Sequence, residues 1–337
     1  MDDFPAIRKS EDSNEDGFFR FASDRYLTSK RTVDDRALNR RVWHCLARNL
    51  AFVAASGEIR ILDIGAGTGE MIGRMAEWRL FDPLIAAQAR SGARVQICVT
   101  AVDSDRSAIL EGVRQLPIRL RALGFIAEVR HDDEIIASSD ALTLAVRFVK
   151  EDIFRFTARE AGTGIKWDLI NACAFLDLTD LSRSLPALRE LLSANGLAYF
   201  SINFDGTTCF MPEVDAALDQ LIIERYHATM DARVREDLPS GDSHAGRRLF
   251  HLLRALGLRV LDLGTSDWTV FPRPDGQYPD DEAYFLHCII ATIDDALRSD
   301  MDDSFRRWVM MRHQQIDAGE LLYVAHQLDV LAQNFKH

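Results

Sequence analysis

The sequence predicts an α/β fold built on a mostly parallel sheet, and three observations predict it. Apolar runs of strand length alternate along the chain with segments whose apolar residues recur at helical spacing. The run Ile61–Ile64, broken only by Asp63, passes into glycines at 65, 67 and 69 and then into the helical pattern Glu70–Trp78. Later apolar runs, Val95–Val102 and Leu142–Val149, are followed by Asp103 and Asp152. In a parallel sheet these acids share one carboxyl edge with the glycine turn, and that edge is where such folds bind ligands.

Composition bounds the partners. The chain has 337 residues, 47% hydrophobic and 27% charged, enough for a full core in one domain carrying extra helices. A net charge of −12 argues against a phosphate-backbone partner, which usually meets a basic face. No apolar run approaches the ~20 residues of a membrane span. The acidic start Met1-Asp-Asp-Phe-Pro carries no signal-peptide pattern, and Cys45, Cys98, Cys173, Cys209 and Cys288 lack paired spacing. The expectation is a cytoplasmic protein with reduced thiols, no disulfide framework and no metal site.

Taken in order, residues 1–20 are polar and acidic, and Phe18–Arg31 mixes aromatic with basic residues. That segment reads either as an arm docked on the core or as a lid over the site. Val33–Ala55 is helical, with Leu38, Val42, Leu46 and Leu50 four apart. Strand one, the glycine turn and its helix follow. Leu80–Ala89 adds a helical turn or two before strand two. Arg106–Leu123 is a basic amphipathic helix, and Phe125–Asp140 reads as irregular. Within it, His131-Asp-Asp-Glu134 reads as a solvated turn rather than a metal cluster, because consecutive ligands rarely converge on one ion. Leu142–Val149 is strand three.

The glycine turn decides which ligand is expected. A dinucleotide site needs G-x-G-x-x-G, and its last position here is Glu70, whose carboxylate would repel a pyrophosphate at the helix start. The pattern is instead D-x-G-x-G-x-G. It resembles motif I of the class I S-adenosylmethionine (SAM)-dependent methyltransferases, whose cofactor carries no phosphate. The resemblance implies a Rossmann-like, seven-stranded, mostly parallel sheet with an antiparallel closing hairpin, plus N-terminal, inserted and C-terminal helices. It implies cofactor contacts from Asp63, Gly65, Ala66, Gly67 and Gly69. Asp103, with Ser104, would take the ribose hydroxyls, and Asp152 with Ile153 the adenine. Helix capping is the plainer role for Asp103 or Asp105, and a surface turn the plainer reading of Asp152.

Trp167–Leu178 is strand four and its loop, next to strand one across the point where strand order reverses. Asn171, Ala172 and Phe175 there are candidates for the cofactor wall, whereas Cys173 reads as packing. Leu181–Leu192 is a helix and Leu197–Asn203 strand five. A helical insertion at about 205–242 carries Tyr226 and His227. Gly246-Arg247 opens a helix resembling that of small-molecule methyltransferases, where Arg247 could clamp a substrate carboxylate or simply form a salt bridge. Leu258–Gly264 and Asp267–Phe271 read as the closing hairpin. Helices follow at Asp281–Leu297 and Asp302–Arg312. Leu321–Asp329 fits strand and helix equally.

The resulting organisation is an N-terminal arm and helical cap (1–56), a methyltransferase domain (57–272) and a C-terminal helical extension (273–337). The expected activity is methyl transfer from SAM to a small molecule, leaving S-adenosylhomocysteine. His227, His244 and His326 are the candidate bases, and Tyr226 and Arg247 the candidate substrate contacts. The rivals are a protein or RNA methyltransferase and a non-catalytic SAM-fold binding or regulatory protein. A dinucleotide oxidoreductase is third, disfavoured by Glu70.

Overall fold

The computed structural model describes residues 23–53, 57–89, 94–131, 133–235 and 238–335. The chain forms two compact units. One comprises Asp34–Thr207, Met230–Trp268 and the residues from Ala325 on; the other comprises the residues up to Val33, Thr208–Thr229 and Thr269–Val324.

Helices α1 (Ser23–Ser29), α2 (Arg31–Ala37) and α3 (Arg40–Val53) precede the first strand. Along α3, Val42, Trp43, Leu46, Ala47 and Leu50 are buried, the apolar stripe that the four-residue spacing predicts. β1 (Glu58–Ile64) runs through the glycine turn into α4 (Glu70–Glu77), and α5 (Asp82–Gln88) fills the interval before β2 (Val95–Asp103). Then come α6 (Arg106–Ala122), β3 (Ile126–Val129), β4 (Glu134–Ser138), β5 (Leu142–Lys150), α7 (Ile153–Ala161) and β6 (Trp167–Cys173). A one-turn helix at Leu176–Leu178 leads to α8 (Leu181–Leu191), β7 (Leu192–Met211), α9 (Ala216–Asp231) and a short hairpin of β8 (Val234–Arg235) and β9 (Leu238–Pro239). The chain continues through α10 (Ala245–Ala255), β10 (Arg259–Thr265), β11 (Trp268–Val270), α11 (Glu282–Leu297), α12 (Asp303–Asp317) and β12 (Leu322–Gln333). Among the described residues four helices are capped by an aspartate side chain: Asp105, Asp152, Asp180 and Asp302 each accept the N–H two residues on, satisfying an amide the helix cannot.

The strands form one sheet in the order β10-β12-β7-β6-β1-β2-β5-β4-β3, with β11 also paired to β12. β5, β2, β1, β6 and β7 run parallel to one another. Register places Ile64 opposite Val102 on one side and Ala172 on the other, so the strands end together. Ile59 and Ile61 face a core layer built from α3, α4, α5 and α6, while Leu62 and Ile64 face a second built from α7, α8 and α10. Both faces are covered, which is why β1 and β2 read as near-continuous apolar runs.

Three expectations change. Residues 125–140 are not irregular: β3 and β4 pair antiparallel, and β4 pairs antiparallel with β5. They were hard to read because one face is wet, with Ile126 and Val129 exposed. The closing pair is not a 258–271 hairpin. β10 pairs antiparallel with β12, which lies between β10 and β7. The backbone bonds Asn195 N–H to Asn334 O and Asn334 N–H to Gly196 O make β12 antiparallel to β7 as well. Residues 273–337 are therefore not helical throughout, since their last element completes the sheet. Over residues 322–329 its buried positions are Tyr323, Ala325, Gln327 and Asp329, a period of two hidden by two polar side chains pointing inward.

In the other unit, Tyr26 stacks on Phe285 with centroids 6.0 Å apart, and Arg25 pairs with Asp281 at 3.1 Å. Arg312, fully buried, donates to Asp219 at 2.5 Å, and the Trp308 indole N–H donates to the same oxygen. His287 and His313, from α11 and α12, stack with ring centroids 5.0 Å apart and Nδ1 atoms at 2.7 Å. Burial lowers both to about 4. An unfolded chain then binds protons that the folded one refuses, so stability is lost as pH falls from about 6.5 through 4. Urea unfolding at pH 7 and pH 5 tests this. Wild type is expected to lose ~2 kcal/mol more than a His287→Phe/His313→Leu variant; equal losses would reject the pair as the cause.

Candidate functional site

The turn after β1 holds Gly65, Gly67 and Gly69 at φ 62°, 53° and 76°, the left-handed region that a side chain rarely adopts. This is why glycines alternate there. Ala66 N–H donates to Val102 O at 3.1 Å and Gly69 N–H to Ala66 O at 2.8 Å, folding the loop onto the end of β2. Space is as tight as conformation: a Cβ on Gly65 would lie 2.3 Å from the Phe175 ring. Glu70, first in α4, pairs with Arg119 at 2.7 Å, so the helix start carries a partnered carboxylate.

Asp103 stands at the mouth of this turn. Gly67 N–H donates to its Oδ2 and Asp105 N–H to its Oδ1, both at 2.8 Å. Each oxygen keeps a lone pair for another donor. Capping of α6 falls to Asp105 instead, and the Ser107 contacts hold its carboxyl below the usual range. Ser104, between them, is exposed. Asp152 lies on the same edge, one residue past Glu151, whose N–H donates to Asp103 O at 3.0 Å. It caps α7 through Oδ1, which accepts from Phe154 and Arg155, while Oδ2 lies 3.9 Å from Arg235. Ile153 is buried beside it at 8% exposure.

Asp63 and Asn171 are neighbours in register, and both are fully buried. Asn171 Nδ2 donates to Asp63 Oδ1 at 2.5 Å, whereas Asp63 Oδ2 and Asn171 Oδ1 have no hydrogen-bond partner among the described residues. Burial raises Asp63 to about 7. Asn171 and Ala172, expected on the cofactor wall, turn their side chains into the sheet, both at 0% exposure. The half-exposed segment is Cys173, Ala174 and Phe175, and Phe175 is the one that reaches the glycine turn.

The tip of β7 gathers the remaining polar groups. Asp205 accepts from Arg247 N–H at 2.6 Å and Nε at 2.9 Å. Arg247 is thus a salt bridge, with part of its guanidinium exposed. His326 lies between two carboxylates, Nδ1 2.8 Å from Asp267 and Nε2 3.5 Å from Asp205. His244 precedes α10 and abuts Gly206, where a Cβ would lie 2.7 Å from its Nε2. Asp231, Asp242 and His244 bring one ligand atom each within 4.8 Å of the others. Ser243 already bonds both Asp231 oxygens and His244 Nδ1, and Arg248 pairs with Asp242. Sequence reading missed Asp205 as a site residue, although an acid just past strand five obeys the rule that singled out Asp103.

Tyr226 and His227 belong to the other unit, where Thr208 Oγ1 lies 3.1 Å from His227 Nε2. Of the expected lid, residues 18–22 lie outside the described residues, and the rest includes α1. In the 131–134 turn, Asp133 pairs with Arg106 at 3.0 Å and Asp132 is outside the described residues. No helix among the described residues is long and apolar enough to cross a membrane.

A parallel core with its switch point at β1/β6, closed by the antiparallel strand β12 between β7 and β10, is the arrangement implied by the motif I resemblance. The fold is a Rossmann-like mixed α/β sheet with a parallel core and antiparallel outer strands. No protein-family model matches the chain, and no curated protein matches it. Solved structures with similarity to it include the cyclopropane synthase MmaA2 of Mycobacterium tuberculosis (10% identity, 84% of this chain and 82% of that one, TM-score 0.40). Another is geranyl diphosphate C-methyltransferase of Streptomyces coelicolor A3(2), in complex with Mg2+, geranyl diphosphate and S-adenosyl-L-homocysteine (12%, 82% and 74%, TM-score 0.33). A third is a SAM-dependent methyltransferase from Methanosarcina mazei (12%, 83% and 94%, TM-score 0.38). At such identity and superposition these likenesses assign no activity, cofactor or acceptor.

Asp63 gives a pH test. A carboxyl raised to about 7 when folded, against about 4 when unfolded, favours folding in acid and opposes it as pH rises through 7. Asp63→Asn keeps an acceptor for Asn171 and removes the ionisation. Relative to wild type, it should therefore gain roughly 1–3 kcal/mol of stability between pH 6 and pH 8.5. A pH-independent difference would show that Asp63 ionises freely in place.

Proposed function

We propose that the chain is a SAM-dependent methyltransferase acting on a small-molecule acceptor and releasing S-adenosylhomocysteine. The observation that carries this reading is the Asp103 carboxylate: it is pinned by the Gly67 amide and keeps one lone pair on each oxygen, as two ribose hydroxyls require. The orphaned Asp63 Oδ2 beneath a turn of three left-handed glycines supports a polar ligand there. Gly65, Ala66, Gly67 and Gly69 would present main chain to the amino-acid end of the cofactor. Asp103 with Ser104 would hold the ribose. Asp152 would hold the adenine amine through Oδ2, with Ile153 against the ring. Asn171 and Ala172 could contribute backbone alone, with Phe175 as the side-chain wall.

When bound, SAM supplies a sulfonium methyl that is already electrophilic. The protein then has only to hold an acceptor in line with it, exclude water and take a proton where the acceptor has one to lose. The charge of −12 and the surplus of helices favour a small acceptor over nucleic acid. The exposed part of Arg247 would meet it. Cytoplasmic residence accords with five cysteines outside any disulfide.

Isothermal calorimetry with SAM and with S-adenosylhomocysteine tests the reading. Wild type should bind both at micromolar Kd, Gly67→Arg should bind neither, and Asp103→Ala should lose ~1.5–3 kcal/mol. Absence of binding to wild type sinks the proposal, and unchanged affinity in Asp103→Ala reduces that residue to a loop anchor.

A further inference from the structure

Asp152 uses only half of its carboxylate inside the protein. Oδ1 accepts from the Phe154 and Arg155 amides and caps α7. Oδ2 accepts no hydrogen bond among the described residues, and the group beside it is the Arg235 guanidinium at 3.9 Å. That separation is too long for a hydrogen bond. The two side chains are 26% and 60% exposed, so neither is sealed against the other. Oδ2 keeps its lone pairs, and a guanidinium carries only donors. The corner between β5 and α7 therefore presents an acceptor and a donor side by side, both unspent on each other.

The chain path explains how Arg235 arrives there. It lies on β8, where β9 sets Leu238 opposite Arg235 and Pro239 opposite Val234. Ser240 N–H donates to Arg233 O at 2.8 Å and closes the base of this hairpin. The base is tied to the residues just past β6: Ser240 Oγ donates to Leu178 O and Asp242 N–H to Asp177 O, both at 3.0 Å. The pair also stands next to the acid proposed for the ribose. Asp103 is opposite Lys150 in register, and its carbonyl takes the Glu151 amide at 3.0 Å. Asp103 and Asp152 thus sit on the ends of adjacent strands, ~4.8 Å apart in the sheet.

A donor beside an acceptor matches one edge of adenine. The base carries an amine that donates, flanked by ring nitrogens that accept, N1 on one side and N7 on the other. We infer that Arg235 is a further cofactor-binding residue, donating to the ring nitrogen beside the adenine amine while Asp152 Oδ2 accepts from that amine. The inference rests on the methyltransferase reading. It gives the 205–242 insertion a part in reading the nucleobase. Arg235 is suited to this because its fork can face the base edge while its charge stays beside Asp152.

Calorimetry on the full-length protein with S-adenosylhomocysteine and its 1-deazaadenine and 7-deazaadenine analogues tests it. Arg235→Ala should melt within about 2 °C of wild type, because the side chain is mostly exposed. Arg235→Met, which keeps the aliphatic stem, should behave alike. Both variants should bind S-adenosylhomocysteine ~10-fold more weakly than wild type. One of the two deaza analogues should bind wild type and Arg235→Ala equally, because its C–H has already removed the acceptor. Which analogue does so identifies the nitrogen. Unchanged or tighter binding of S-adenosylhomocysteine by Arg235→Ala overturns the inference. So does a ~10-fold loss that persists with both analogues, which would reduce Arg235 to a charge near Asp152. In both cases binding by wild type keeps the methyltransferase reading. No binding of S-adenosylhomocysteine by wild type removes that reading and the inference with it.

Discussion

The hydrogen bond from the Gly67 amide to Asp103 is the contact on which the site depends. It joins the end of β1 to the end of β2 where the chain leaves the sheet in a left-handed turn. Parallel register makes it possible: Ile64 stands opposite Val102, so the next residues of both strands emerge side by side. A helix alone would not hold the loop, because α4 starts on Gly69 with no side-chain cap. The acid at the end of β2 supplies what a cap residue would, and leaves its outward lone pairs for a ligand.

Around that contact, the carboxyl edge of the sheet carries an unusual load of buried polar groups. Asp329 is fully buried in β12 and accepts from Asn39 N–H, Ile202 N–H and, at 3.3 Å, the Tyr199 hydroxyl. Ile202 sits at φ 54°, a costly position for a β-branched residue. The charge-assisted bond from its amide to Asp329 helps to hold it there. Arg74 is also buried; burial opposes its charge, but Asp34 and Asp35 more than offset this, Asp35 at 2.6 Å. Such groups cost stability unless each is partnered. Their concentration on one edge, with Asp63 Oδ2 left over, marks that edge as shaped for something besides packing.

Much of this was legible in the chain alone. Strand, glycine turn and helix followed from a short apolar run and three alternate glycines. Asp103 and Asp152 followed from acids placed after apolar runs. What misled was polarity inside strands. Gln327 and Asp329 occupy inward positions of β12, which erased its alternation and left 321–329 ambiguous. The 126–138 hairpin was lost for the opposite reason, exposed Ile126 and Val129 blurring the pattern. Asn171 and Ala172 were found as site neighbours, but a strand hides alternate side chains in each face, and which way each points depends on the helices packed there.

By itself the sequence determined the local devices: where the chain turns, which amides need an acid, and which face of each helix is apolar. These depend on residues a few positions apart. Only tertiary structure decided the pairings, because they bring together residues tens to hundreds of positions apart. It chose β12 rather than β11 as the strand between β7 and β10. It also spent Arg247 on Asp205 and set His326 against Asp267. A proton has one place to go in each hydrogen bond, and only the folded chain says which neighbours compete for it.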